Sequence, residues 1–254
     1  KVESDLENKR GKKYGLGSSA AIVVGIVEVL CQFYKLEVNK EKVFKLSVLA
    51  NLSLNKSGSC GDIAACIYGG WIAYTSFDRK WVLNNVSSFS ISQLINNQWP
   101  FLNVQPLIPP NDLALVIAWT GRPASTINLV RKVKREKYNN MGIYKDFLNK
   151  SQRCVNQIIH AFENKDLEEI KKQIQRNRNL LIQLGKSFNV EIESSMLKNL
   201  ADIALKYVGS GKPSGAGGGD CGIAIFPKDK ILNSLIKDWK KAGIQYLPLN
   251  VFYR

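Results

Sequence analysis

The chain has 254 residues, 45% of them hydrophobic and 22% charged, and its 36 Lys and Arg against 21 Asp and Glu leave a formal charge of +15. That composition supports one large or two small domains with a real core and excludes a disordered or fibrous chain. The most apolar stretch, Ala20 to Leu30, is interrupted by Glu28 and is shorter than the roughly 20 helical residues that cross a bilayer, so no transmembrane span is expected. The start, Lys1 to Asp5, lacks a charged-then-apolar signal pattern. Five scattered cysteines, Cys31, Cys60, Cys66, Cys154 and Cys221, show no C-x-x-C spacing, which points to a reducing cytoplasm. The positive charge fits nucleic acid, an anionic membrane surface, small anionic substrates or a simple Lys-rich surface, and does not choose among them.

In chain order, Ser18 to Tyr34 reads as a helix rising from a Gly/Ser turn, apolar on most faces and so expected to be buried. Lys40 to Leu54 follows as an amphipathic helix. Ile63 to Tyr68 is a short helix stopped by Gly69-Gly70, and Trp71 to Thr75 has the composition of a strand. A turn at Asp78-Arg79 is expected to lead to a partner strand. Trp99-Pro100 and Pro106 to Pro110 break regular structure, and an apolar strand begins at Leu113 and ends at Trp119, placing a domain boundary near residue 110. Helical patterns follow at Ser125 to Lys137, Tyr144 to Glu163, Asp166 to Leu184 and Ser194 to Tyr207. The Gly-rich run Gly209 to Gly222 enters a strand at Ile223 to Phe226. A helix at Lys230 to Lys241 and a strand at Ile244 to Tyr253 close the chain.

Three segments carry chemistry. Lys13 to Ala21 is a Gly/Ser loop opening a helix, where backbone N–H groups, the helix N-terminus and two hydroxyls suit a phosphate; a Ser N-cap after a glycine turn is the plainer alternative. It matches neither G-x-x-x-x-G-K-[ST] nor G-x-G-x-x-G. Lys212 to Gly222 holds more glycines than packing demands, and a backbone that approaches a ligand closely explains them better than a linker does. Ser57 to Asp62 places one carboxylate at the start of a short helix, as an N-cap or, beside phosphate loops, as a group that orients or deprotonates an attacking oxygen.

The G-L-G-S-S-A-A of Gly15 to Ala21 and the S-G-A-G-G-G-D of Ser214 to Asp220, in that order, resemble the ATP-binding and C-terminal glycine motifs of the GHMP small-molecule kinases. Ser59 to Ala64, Tyr68 to Tyr74 and Trp119 to Thr126 are most similar to the bacterial phosphomevalonate kinase branch, and the resemblance runs over nearly the whole chain. It implies an α+β two-domain fold with mixed or antiparallel sheets and packed helices. Residues 1–110 would be the remainder of the N-terminal domain and 111–254 the C-terminal domain, with ATP between them. The implied reaction uses ATP and Mg²⁺ to phosphorylate the phosphate of 5-phosphomevalonate in the mevalonate route to isoprenoids. Lys13 would bridge donor and acceptor phosphates and Asp62 would order Lys13 and the acceptor. Gly15, Leu16, Gly17, Ser18, Ser19 and Ala20 would bind ATP, with Ser19 facing Mg²⁺. Ser59, Trp119, Thr120, Ser125 and the loop of Ser214, Gly215, Ala216, Gly217 and Gly218 would contact the acceptor. A monomer or weak homodimer is implied.

The sequence departs from the family in three places. No P-x-K-x-x-x-x-G-E-[HY] type motif precedes Lys13, as in the later two thirds of a longer chain. Ala50 to Leu54 offers no magnesium-binding acid, and G-S-C-G-D stands for N-P-S-G-x-D, leaving Cys60 as a small buried filler. The basic run Arg131 to Lys137 reads as a solvated helix face and not a nucleic-acid site, because nine of the 36 basic residues are Arg and no aromatic residues alternate with them. Arg176 and Arg178 lie in a helical pattern, near the acceptor or on an exposed face. His160 is the only histidine, too little for Ser-His-Asp chemistry. Mevalonate kinase, diphosphomevalonate decarboxylase and a catalytically silent metabolite-binding protein are the rival readings.

Overall fold

The structure, a computed structural model, describes residues 11, 13–54, 58–124, 126–229 and 232–253. The chain separates into two compact units. One holds Gly17–Ile108 with the last residues from Val251; the other holds Pro109–Asn250 with the stretch that ends at Leu16. The Gly/Ser motif therefore runs from one unit into the next.

The first unit is built from α1 (Ser18–Phe33), α2 (Lys40–Leu54) and α3 (Gly61–Tyr68), followed by β1 (Trp71–Thr75), α4 (Arg79–Asn85), α5 (Ile91–Asn96) and β2 (Asn103–Leu107). β1 and β2 pair antiparallel, Trp71 opposite Leu107 and Thr75 opposite Asn103. Phe44, Val48, Ile63, Ile67, Phe77 and Trp99 form its core. Buried Lys45 is satisfied within it, donating to the carbonyls of Ile95 and Asn97 at 3.2 and 2.9 Å, which ties α2 to the end of α5.

Several expectations need correction here. α1 buries one stripe, Ala20, Val24 and Cys31, whereas Ile26, Val29, Leu30 and Phe33 are exposed; among the described residues α2 and α3 pack on that stripe, so an apolar composition did not mean burial all round. The turn expected at Asp78-Arg79 is instead a helix start, with the Asp78 carboxylate accepting from Trp81 N–H. Ser90 and Gln93 make a capping box for α5. Pro106 does not break the chain but sits inside β2, which among the described strands pairs with β1 alone; a strand paired on one side tolerates a residue without an N–H.

The second unit comprises β3 (Leu113–Trp119), α6 (Thr126–Asn139), α7 (Met141–Glu163), α8 (Leu167–Ser187), α9 (Ser195–Lys206), β4 (Ser210–Pro213), β5 (Cys221–Pro227), α10 (Leu232–Lys241) and β6 (Gln245–Leu247). Its sheet runs β4-β5-β3-β6, antiparallel throughout. Leu200 and Ala204 from α9 and Leu235 and Trp239 from α10 pack against Val116, Ala224 and Phe226 of the sheet. The Trp239 indole donates to the Leu200 carbonyl at 3.0 Å. β4 arises within the glycine run, where no strand was expected. β6 stops at Leu247 because Pro248 follows, and the expected strand to Tyr253 shrinks to three residues plus an isolated bridge from Tyr253 to Gly69.

Candidate active site

The Gly/Ser loop delivers an open helix N-terminus. Gly17, at φ 84, precedes α1 and no side chain caps it, so the Ser N-cap alternative is not realised. The first helical bond runs from Ala21 N–H to the Gly17 carbonyl at 3.1 Å. Among the described residues the N–H groups of Ser18, Ser19 and Ala20 have no protein acceptor. Three unsatisfied donors at the positive end of a 16-residue helix are an arrangement that suits an anion. Ser18 is half-buried and Ser19 exposed. In the other unit, Lys13 is exposed, and the Tyr14 ring meets Trp119 edge-on with centroids 5.4 Å apart.

Asp62 lies in the first turn of α3, within the same unit as Gly17. It is no N-cap: that position is Cys60, left-handed at φ 61, and Asp62 Oδ1 accepts from Ile63 N–H at 3.0 Å. A Cβ placed on Gly17 would lie 3.6 Å from the Asp62 Cβ, so the carboxylate stands beside the start of α1. The turn that carries it is pinned from below: Tyr74 donates to the Ser59 carbonyl at 2.7 Å, Ser76 to the same oxygen at 3.3 Å, and the Arg79 guanidinium to the Gly58 carbonyl. Burial pushes the Tyr74 phenol up to about 12 and raises the Cys60 thiol, despite Arg79. Cys60, 2% exposed, is thus a neutral filler and not a nucleophile. Ser18, Ser19 and Asp62 offer an oxygen-only set of the kind that suits a hard divalent cation taking most of its ligands from phosphate and water. Among the described residues no group of three His, Cys, Asp or Glu would cage a metal without phosphates.

The glycine-rich loop behaves differently from its sequence reading. Gly215 has open space around its α-carbon, and among the described residues the N–H groups of Gly215, Ala216 and Gly217 donate to no protein atom. The later glycines are packing glycines after all: a Cβ would meet the Ile192 carbonyl oxygen at 2.0 Å from Gly217, Leu129 at 2.8 Å from Gly218 and the Arg122 carbonyl oxygen at 2.7 Å from Gly219. Gly218 N–H already donates to Ile192 at 2.8 Å, and the Ser214 hydroxyl to the Cys221 carbonyl at 2.8 Å. Because Gly217 also sits at φ 85, Gly217→Ala is expected to destabilise the chain by about 1–3 kcal/mol. A urea midpoint equal to wild type would contradict this.

Trp119 and Thr120 are buried, and the Thr120 hydroxyl donates to the Asp220 carbonyl at 2.9 Å. Ser125 lies outside the described residues. Sequence reasoning passed over Lys212, whose ammonium donates to the Pro213 carbonyl at 2.9 Å and is pushed by burial down to about 8. Between about pH 8 and 10.5 the folded chain holds this proton less well than the unfolded chain, so stability from Lys212 rises with pH across that window. Lys212→Met is therefore expected to stabilise near neutral pH, with the advantage shrinking as pH passes from about 8 to about 10.5. Paired urea melts check this, and a pH-independent difference would contradict it.

The first unit thus carries an uncapped helix start beside a carboxylate, and the second carries a glycine-rich loop between β4 and β5 of its antiparallel sheet. The chain belongs to the GHMP kinases: the models described as "GHMP kinases N terminal domain" and "GHMP kinases C terminal" match residues 1–70 and 158–245, together more than half of it. The phosphomevalonate kinase of a Streptomyces species is 36% identical over 241 residues, covering 94% of this chain and 64% of that protein, so the chain spans just under two thirds of its length. The crystal structure of the Lin0012 protein from Listeria innocua is similar at TM-score 0.94 and 43% identity, over 98% of this chain and 70% of that one. Streptococcus pneumoniae phosphomevalonate kinase in complex with phosphomevalonate and AMPPNP gives TM-score 0.87 at 29% identity, covering 97% and 71%. No helix among the described residues is long and apolar enough to cross a membrane.

Proposed function

We propose that this chain carries the phosphoryl-transfer site of a phosphomevalonate kinase, taking the γ-phosphoryl of ATP to the phosphate of 5-phosphomevalonate and releasing 5-diphosphomevalonate and ADP. The observation that carries the reading is the open N-terminus of α1 with Asp62 beside it. The 36% identity to a phosphomevalonate kinase supports the choice of acceptor.

The acceptor sets the mechanism. A phosphate monoester, with a second pKa of about 6, is largely ionised near neutral pH, so an acceptor oxygen attacks the γ-phosphorus without first losing a proton to the protein. The bond to the β–γ bridging oxygen breaks, and its electron pair leaves with ADP. What remains for the chain is positioning and charge neutralisation. The N–H groups of Ser18, Ser19 and Ala20 hold donor phosphate oxygens, Lys13 neutralises the transferring group, and Asp62 orients the acceptor. The Ser214 hydroxyl is already committed to the Cys221 carbonyl. In the second unit we assign the N–H groups of Gly215, Ala216 and Gly217 and the loop from Trp119 to the acceptor's anionic end; in the first unit the same role is assigned to Ser59. Ser19, with Asp62 nearby on the same unit, would hold Mg²⁺, which when bound neutralises phosphate charge.

The test is steady-state ADP release by the full-length protein with Mg·ATP, comparing 5-phosphomevalonate, mevalonate and 5-diphosphomevalonate. Turnover restricted to 5-phosphomevalonate is expected. Turnover of mevalonate would move the assignment to mevalonate kinase, ADP and phosphate release with 5-diphosphomevalonate to the decarboxylase, and nucleotide binding without turnover to a silent relative.

A further inference from the structure

Asp220 is the last residue of the S-G-A-G-G-G-D run; it is hydrogen-bonded to one loop of its own unit and lies close against a second. Its carboxylate Oδ1 accepts from Ala124 N–H at 3.0 Å. Its backbone N–H donates to the Arg122 carbonyl at 2.8 Å, and its carbonyl accepts from both the N–H and the hydroxyl of Thr120, each at 2.9 Å. Four hydrogen bonds thus fasten one residue to the loop 120–124. The opposite side of the same carboxyl group faces Gly15: a Cβ there would lie 2.4 Å from Asp220 Cγ and 2.6 Å from Oδ2. The next residue continues the tie, since the Cys221 thiol donates to the Tyr14 carbonyl at 3.2 Å.

The backbone at Asp220 is left-handed, φ 53, a conformation that Asp, Asn and Gly adopt more readily than other residues. It turns the side chain away from β5 and between the two loops. Burial raises the Asp220 carboxyl, and the Ala124 N–H opposes that rise; the carboxyl's place is fixed by geometry and not by a cationic partner, for no ion pair to it is present among the described residues. A lone carboxyl group held by one loop and pressed against another is poorly suited to bind phosphate itself and well suited to set where the loops stand.

We infer that Asp220 is a positioning residue: its carboxyl group fixes the loop 120–124 against Gly15 and thereby shapes the binding of the phosphorylated acceptor. This rests on the functional reading above, which places the acceptor at that loop. Two variants separate the carboxyl's hydrogen bond from the backbone and from the charge. Asp220→Gly keeps the left-handed backbone and deletes the side chain. Asp220→Asn keeps the shape and the Oδ1 acceptor and removes the charge.

In the full-length protein, Asp220→Gly is expected to raise KM for 5-phosphomevalonate roughly tenfold, the effect of losing one hydrogen bond to a charged group, with kcat changed much less. Asp220→Asn is expected to restore most of that affinity. Hydrogen–deuterium exchange reads the tie without turnover: the 120–124 amides exchange faster in Asp220→Gly and remain protected in Asp220→Asn. An unchanged KM and unchanged exchange in Asp220→Gly would overturn the proposal. So would equal defects in both variants, which would assign the effect to charge. Wild-type protein that turns over another substrate and not 5-phosphomevalonate overturns the functional reading, and the acceptor assignment with it, whereas the exchange data still accept or reject the tie.

Discussion

Asp62→Asn is expected to lower kcat by roughly two to three orders of magnitude while leaving KM for ATP within a few-fold of wild type. The carboxylate stands beside the start of α1, yet it caps no helix, and among the described residues it accepts a hydrogen bond from the adjacent Ile63 N–H. Its removal therefore leaves the fold intact and acts on the reacting groups. With a phosphate acceptor the residue orients and does not abstract a proton, so the acidic limb of the kcat profile, set near pH 6 by the acceptor's own second ionisation, is expected to persist in the variant. With an alcohol acceptor that limb would follow a protein base and vanish with it. Equal losses in ATP affinity and kcat would contradict the role, and loss of the acidic limb would contradict the acceptor.

Lys13→Ala is expected to slow transfer by about two or more orders of magnitude, with ATP affinity reduced far less. Lys13 is exposed, and among the described residues it forms no ion pair. An ammonium with no acidic partner among the described residues is available, on the proposed reading, to neutralise charge that develops on the transferring phosphoryl. Single-turnover rates at saturating ATP check this, and a nearly wild-type rate would remove Lys13 from the mechanism.

Much of this site was legible because its chemistry is written in local sequence. Gly15, Gly17, Ser18 and Ser19 announce a glycine turn opening a helix, and α1 starts at Ser18 as that pattern requires. Asp166 and Ser194 signal helix starts and do cap α8 and α9. The same kind of signal is present at Asp78, where a turn leading to a partner strand was expected, and in Ser90-x-x-Gln93, to which no element was assigned, so α4 and α5 were missed. Other features have no local signature. Asp220 meets residues 96 or more positions away, and nothing in G-G-G-D indicates that its carboxyl group will tie Ala124 or press on Gly15. The packing of Gly217 to Gly219 was equally hidden, since a glycine placed against a ligand and one placed against Ile192 read alike. The exposed side of α1 shows the limit of composition: Ile26, Val29 and Phe33 are apolar, but which face is covered is decided by where α2 and α3 lie.

The central claim is that the acceptor is itself a phosphate, and ³¹P NMR of the products tests it most directly. Full-length protein with Mg·ATP and 5-phosphomevalonate is expected to convert the acceptor's single monoester resonance into the pair of coupled resonances of a diphosphate, in step with ADP. A monoester resonance that persists while ATP is consumed, or a new monoester formed from mevalonate, would contradict it.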